Sequence, residues 1–190
     1  SRSMYDKNVR EFEHHRKTWG EQKVFGYKDF IPMFKAEKFN ASDWVSLFKK
    51  AGIKYVMPVA EHHDGFAMYE TEFNRWNSKE MGPMRDVVGE LKAECEKQGL
   101  ELCASTHRAE HYFFMNPGRL CDSDINDEKY VDFYGPAVYC EEFDPAIIHI
   151  TTADTYSKGA SKEWLEDWLV RTCEIIDKYQ PSVLYFDWWI

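Results

Sequence analysis

No stretch of this chain approaches the roughly 20 consecutive apolar residues that a membrane-spanning helix requires, so no membrane span is expected. Positive charge is in deficit, with 24 Lys and Arg against 33 Asp and Glu and a net charge of −9. Nucleic-acid binding needs clustered cations to meet phosphates. The acidic residues here are dispersed, so the expectation is a solvated surface and no nucleic-acid partner. The five cysteines (Cys95, Cys103, Cys121, Cys140 and Cys173) form no CxxC pair and no zinc-finger spacing, which excludes those two metal-binding patterns. Cys95, Cys103 and Cys173 are expected to be small core residues on apolar faces. The segment Ser1–Lys17 is polar and lacks an apolar core; these residues are expected to hold no signal peptide, and His14 and His15 to be solvated. Low-complexity tracts are absent as well.

What is present suits one domain with a real core: 190 residues, 44% apolar and 30% charged. Aromatics reach 16%, with seven Trp. Their faces suit the C–H faces of sugars, although most aromatics in any domain fill its core. Periodicity gives three helix–strand units. Trp44, Leu47, Phe48 and Ala51 form a helical stripe, capped by Asn40 or Ser42 and ended by Gly52, and the apolar run 53–60 reads as a buried strand. Pro83 suits the first turn of a second helix with Met84, Val87, Val88, Leu91 and Cys95 on one face; Gly99 stops it and strand 100–105 follows. Ser161 caps a third helix with the stripe Leu165, Trp168, Leu169, Thr172 and Ile176, and strand 182–187 follows Pro181. Helix then strand, repeated, predicts an α/β fold with a parallel sheet, either open or part of a barrel. The helix-to-strand links are short and the strand-to-helix links long, notably 107–160. Long loops at the carboxyl ends of strands are where such folds build their sites.

Each strand delivers ionisable residues at that end. The first leads into Glu61-His62-His63-Asp64-Gly65, the second into His107-Arg108-Ala109-Glu110-His111, and the third ends on Asp187 between Phe186 and Trp188. A carboxylate between bulky aromatics is costly unless it has a task or a partner, and three strands doing this at one edge point to a shared active-site face. Carboxylate, imidazoles and nearby Trp fit sugar recognition and glycosyl transfer, in which a retaining enzyme sets two carboxyls about 5 Å apart. His107, Glu110 and His111 also fit the H-x-x-E-H pattern of inverted zinc peptidases, which makes a zinc metallohydrolase one alternative. The run follows a strand directly and leads into a loop, a poor setting for that motif. A non-catalytic carbohydrate-binding fragment is the other alternative.

Three motifs occur together: His62-His63-Asp64-Gly65-Phe66, Trp76-Asn77-Ser78, and Pro83-x-Arg85-Asp86-x-Val88-Gly89-Glu90-Leu91. With the preceding 25–52 and the ending 178–189, they resemble glycoside hydrolase family 29, the α-L-fucosidases, through most of 24–108 and again over 161–188. The resemblance implies a (β/α)8 TIM barrel, of which residues 1–190 would be a single partial catalytic domain truncated at both ends. The family's first strand would lie before Ser1 and its general acid/base after the nucleophile strand. It implies retaining hydrolysis of terminal α-L-fucose from a fucosylated oligosaccharide or glycoconjugate, with no cofactor and no metal. Asp187 matches the nucleophile, and His62 and His63 the paired histidines that hydrogen-bond fucose. Tyr185 matches a wall of the pocket. Trp76 is expected either to touch sugar or to pack a loop. The chain departs from the family at Cys103-Ala104-Ser105, where an aromatic wall is usual, and His107 or Tyr112 would fill that space. A secreted, periplasmic or lysosomal setting is also implied.

Overall fold

The computed structural model describes residues 2–135 and 161–187. Cys140, Trp188 and residues 136–160 of the expected long loop lie outside the described residues.

Among the described residues the strands pair in parallel. β1 (Tyr55–Val56) lies beside β3 (Glu101–Leu102), and β2 (Val59–Glu61), β4 (Ala104–Thr106) and β5 (Leu184–Phe186) lie side by side in that order. The expected strands 53–60 and 100–105 are thus each split in two. Pro58 accepts from Ser105 N–H at 3.1 Å but has no N–H to return, so the ladder is interrupted there.

Five described helices are more than a turn long, and the second, third and last of them pack on the sheet. The set is α1 (Arg10–Trp19), α2 (Ala41–Lys50), α3 (Val87–Gln98) and α4 (Arg108–Phe114); after the single turn α5 (Val131–Tyr134), α6 (Lys162–Tyr179) is the fifth element of this kind. Asn40 caps α2 by accepting from Asp43 N–H, and Ser161 caps α6 by accepting from Trp164 N–H. α3 starts later than expected, at Val87, because Asp86 supplies the cap by accepting from Gly89 N–H. Pro83 and Met84 precede it, and Met84 is exposed rather than on the buried face. Gly99 ends α3 in the left-handed conformation.

The main core gathers Val45, Ala60, Tyr69, Val88, Leu91, Cys95, Leu102, Ala104 and Ile175. Two helix faces differ from expectation. α2 buries Ala41 and Val45 and leaves Trp44 and Leu47 exposed; two stripes were available, and the smaller side chains take the face nearer the core. α6 buries Trp164, Arg171, Thr172, Ile175 and Tyr179, while Leu165, Leu169 and Ile176 are exposed. An apolar pattern cannot register that face, since part of it is charged and is buried through ion pairs. Cys173 is exposed on the same helix, against its expected place in the core, and Cys95 and Cys103 are buried as expected. A second core joins the N-terminal segment to the loops through Tyr5, Phe12, Ile31, Phe66, Trp76, Met115 and Phe133. His14 is exposed but His15 is not: its ring is buried, bonds the Phe25 carbonyl at 2.8 Å, and packs on Phe25 and Phe30.

Candidate active site

The carboxyl ends of β2, β4 and β5 adjoin, and each supplies a polar side chain. After β2 the chain turns sharply, with Gly65 N–H donating to the His62 carbonyl at 3.1 Å. Asp64 fixes this turn: Oδ1 accepts from Phe66 N–H at 2.8 Å and Oδ2 from the Tyr27 hydroxyl at 3.0 Å. Gly65 has φ +83°, and a Cβ there would lie 2.6 Å from His111 Cε1. Glycine is therefore required on both conformational and steric grounds.

The turn brings His62 and His63 against His107, which follows β4. The His62 ring stacks on His63 at 4.5 Å and on His107 at 4.3 Å between centroids. His63 Nε2 lies 2.9 Å from His107 Nδ1, and that same nitrogen lies 3.1 Å from Asp187 Oδ2 at the end of β5. A proton on His107 Nδ1 would be shared between the two. Burial pushes His63 down to about 3, helped by its imidazole neighbours. Burial and His62 also lower His107, against the pull of Asp187. His63 and His107 therefore face the carboxylate as neutral rings at pH 7. Asp187 itself is about one-third exposed, with its side chain at 35%, so it is reachable from solvent.

Beneath this layer lies a charge network that sequence reasoning missed. Arg108 donates from Nη1 to Glu61 at 2.8 Å and from Nη2 to Asp167 at 2.7 Å. Arg171 donates from Nε to the other Asp167 oxygen at 3.0 Å and has Nη1 3.6 Å from Glu61. Burial would raise Asp167, but the two guanidinium groups outweigh it and hold the carboxyl below its usual range. The Arg108 guanidinium also lies 4.3 Å over the Trp164 ring. Glu61 and Arg108 were visible at strand ends, and Asp167 and Arg171 stand four apart on α6; nothing in the sequence joins the two pairs. Glu110 is a separate case. It is 1% exposed, and neither carboxylate oxygen has a hydrogen-bond partner among the described residues. Burial drives it up to about 8, and the charge of Asp187 adds to the rise.

The remaining expected residues fall in different places. Tyr185 lies on β5 opposite Ser105, half-exposed and two residues before Asp187. Trp76 is buried in the second core, stacked on Phe133 at 4.6 Å with Arg75 over its ring. Tyr112 is buried against Trp164. The H-x-x-E-H run lies on a helix after all, since α4 starts at Arg108. It makes no zinc site: His111 Nδ1 meets the His63 carbonyl at 2.7 Å and Nε2 the Phe133 carbonyl at 2.8 Å, so both nitrogens are engaged. The imidazoles that do converge are His62, His63 and His107.

Among families of known proteins, the one described as Alpha-L-fucosidase matches residues 1–190. An alpha-L-fucosidase of Dictyostelium discoideum is 27% identical over 176 residues, 92% of this chain and 34% of its own length. The tissue alpha-L-fucosidase of Rattus norvegicus is 46% identical over 77 residues, 40% of this chain and 17% of its own. A Thermotoga maritima alpha-fucosidase solved in complex with fucose superposes with a TM-score of 0.70 at 29% identity, covering 98% of this chain and 37% of that one. The chain thus spans about a third of the length of the first of these relatives and of the solved structure.

Proposed function

Because this chain belongs to the alpha-L-fucosidase family, we propose that it carries the nucleophile side of a retaining α-L-fucosidase site, with Asp187 attacking the anomeric carbon. The observation that supports this most is the placing of Asp187: at a strand end, open to solvent, and 3.1 Å from the ring of His107 on the neighbouring strand. In a retaining reaction the carboxylate must be ionised and held still. A neutral His107 can donate to it without needing a charge of its own. His62 and His63 offer ring nitrogens to fucose hydroxyls, and Tyr185 and His107 complete the lining. The substrate is a terminal α-L-fucose on an oligosaccharide or glycoconjugate. Parallel strands alternating with helices suit part of a (β/α)8 barrel, in which residues 1–190 form a single partial catalytic domain. The general acid/base comes from outside these residues.

Replacing Asp187 by Gly in the intact enzyme tests the central assignment. Hydrolysis of an aryl α-L-fucoside is expected to fall by several orders of magnitude, the scale on which covalent catalysis is lost. Azide should partly restore cleavage by entering the vacated space, giving a fucosyl azide of inverted configuration. Near-normal activity of the variant, or a product of retained configuration only, would show that another group is the nucleophile. Residues 1–190 alone should give no measurable hydrolysis; clear turnover would place the acid within this chain.

A further inference from the structure

Three imidazoles from two neighbouring strand ends converge. One ring nitrogen from each of His62, His63 and His107 lies within 4.8 Å of the other two, and His63 Nε2 stands 2.9 Å from His107 Nδ1. Around a tetrahedral zinc ion, with Zn–N bonds of about 2.0–2.1 Å, ligand nitrogens stand roughly 3.3 Å apart. The existing trio brackets that spacing. His63 and His107 are buried and oriented by their contacts, with His63 backed edge-on by Phe114 at 4.6 Å between centroids. His62 is exposed, so its ring can turn to close the set. The Asp187 carboxylate, 3.1 Å from His107 Nδ1, supplies a negative charge beside the cation and an oxygen for the fourth position.

We propose that His62, His63 and His107 form a capture site for a borderline divalent cation, Zn²⁺ or Cu²⁺, and that the metal acts as a reversible brake by occupying the sugar's place. The ion takes the lone pairs of His63 Nε2 and His107 Nδ1, and any proton between them moves to the ring nitrogens facing away; no bond in a substrate changes. Three imidazoles with one open position suit such ions, whereas Mg²⁺ and Ca²⁺ demand oxygen ligands. The metal is not needed for hydrolysis. Competition with sugar rests on the fucose site proposed above; capture of the metal does not.

Two measurements separate these parts. In the first, ZnCl2 is titrated calorimetrically into the metal-free protein in a non-coordinating buffer, with MgCl2 as control. One equivalent of zinc should bind and magnesium should give no heat. His62→Ala and His107→Ala should each weaken zinc at least about tenfold, since each removes a ligand. The exposed position of His62 makes its variant decisive if the His107 variant fails to fold by circular dichroism. Cobalt(II) should show visible bands without a thiolate charge-transfer band. No binding, affinity unchanged in His62→Ala, or a thiolate band pointing to the exposed Cys173 would each overturn the site. In the second, zinc should raise KM for an aryl fucoside in the intact enzyme, leave kcat unchanged, and be reversed by EDTA. Zinc bound by the trio with KM unaltered would leave capture standing and overturn the shared occupancy. Activity lost in EDTA alone and restored by zinc would overturn the brake.

Discussion

At the scale of single residues, Glu110 is the buried group whose chemistry is least resolved by its surroundings. Its carboxyl is raised from 4.5 to about 8, so the folded protein holds this proton more tightly than the unfolded chain. The stability this contributes is fully present below about pH 4.5 and is lost as pH rises through about 8, at up to about 1.4 kcal/mol per pH unit. Glu110→Gln cannot ionise and removes that slope. Thermal unfolding of both proteins should therefore show the variant gaining on the wild type from pH 5 to pH 9. A difference in Tm that stays constant across this range would mean that Glu110 is ionised throughout in the folded state. The histidines run the other way. His63 is lowered to about 3, so its contribution is present above about 6.5 and fades as pH falls towards 3.

At the scale of elements, α6 is held to the sheet by charge as much as by apolar contact. Glu61 ends β2, Arg108 opens α4, and Asp167 and Arg171 occupy α6. The four side chains therefore fix three elements relative to one another beneath the histidines. Removing one partner from a buried ion pair strands the others, at a typical cost of about 3–5 kcal/mol. Glu61→Ala should destabilise on that scale in urea denaturation, because it leaves two buried guanidinium groups facing one carboxylate. A loss below about 1 kcal/mol would mean that water reaches the network and the pairs act as surface bridges do. This element-level dependence explains why the helical period alone misplaced the buried face of α6. Arg171 and Glu174 lie outside the apolar stripe, and their burial is supported by Glu61 beside the first and by the Thr71 hydroxyl and Glu72 N–H donating to the second.

At the scale of the whole molecule, the described surface carries apolar side chains where a sheet of this kind is normally covered. Tyr55, Met57 and Val59 are exposed along one flank, and Tyr185, Val183, Leu165, Leu169 and Ile176 are exposed on β5, beside it and on α6. Uncovered sheet edges and apolar faces favour association. Residues 1–190 should therefore sediment as concentration-dependent oligomers, and Leu169→Lys should shift them towards monomer; a monodisperse monomer at high concentration would show these faces to be covered. The sequence by itself determined that helices alternate with parallel strands, that Ser161 caps α6, and that ionisable residues gather at the strands' carboxyl ends; for α2 it left Asn40 and Ser42 as alternatives. These follow from local rules: periodicity, a capping side chain and the position of glycine and proline. It also marked His62, His63, His107 and Asp187 as residues of one edge. Only the tertiary structure decided which face each helix buries, that His15 is enclosed while His14 is not, and that Trp76 fills a core. It alone turned His111 away from His107 and onto two carbonyls, and joined Glu61 to Arg108, Asp167 and Arg171. The physical reason is that a polar group's cost of burial depends on its partner, and these partners are not its neighbours along the chain: Phe25 for His15, Phe133 for His111 and Glu61 for Arg108.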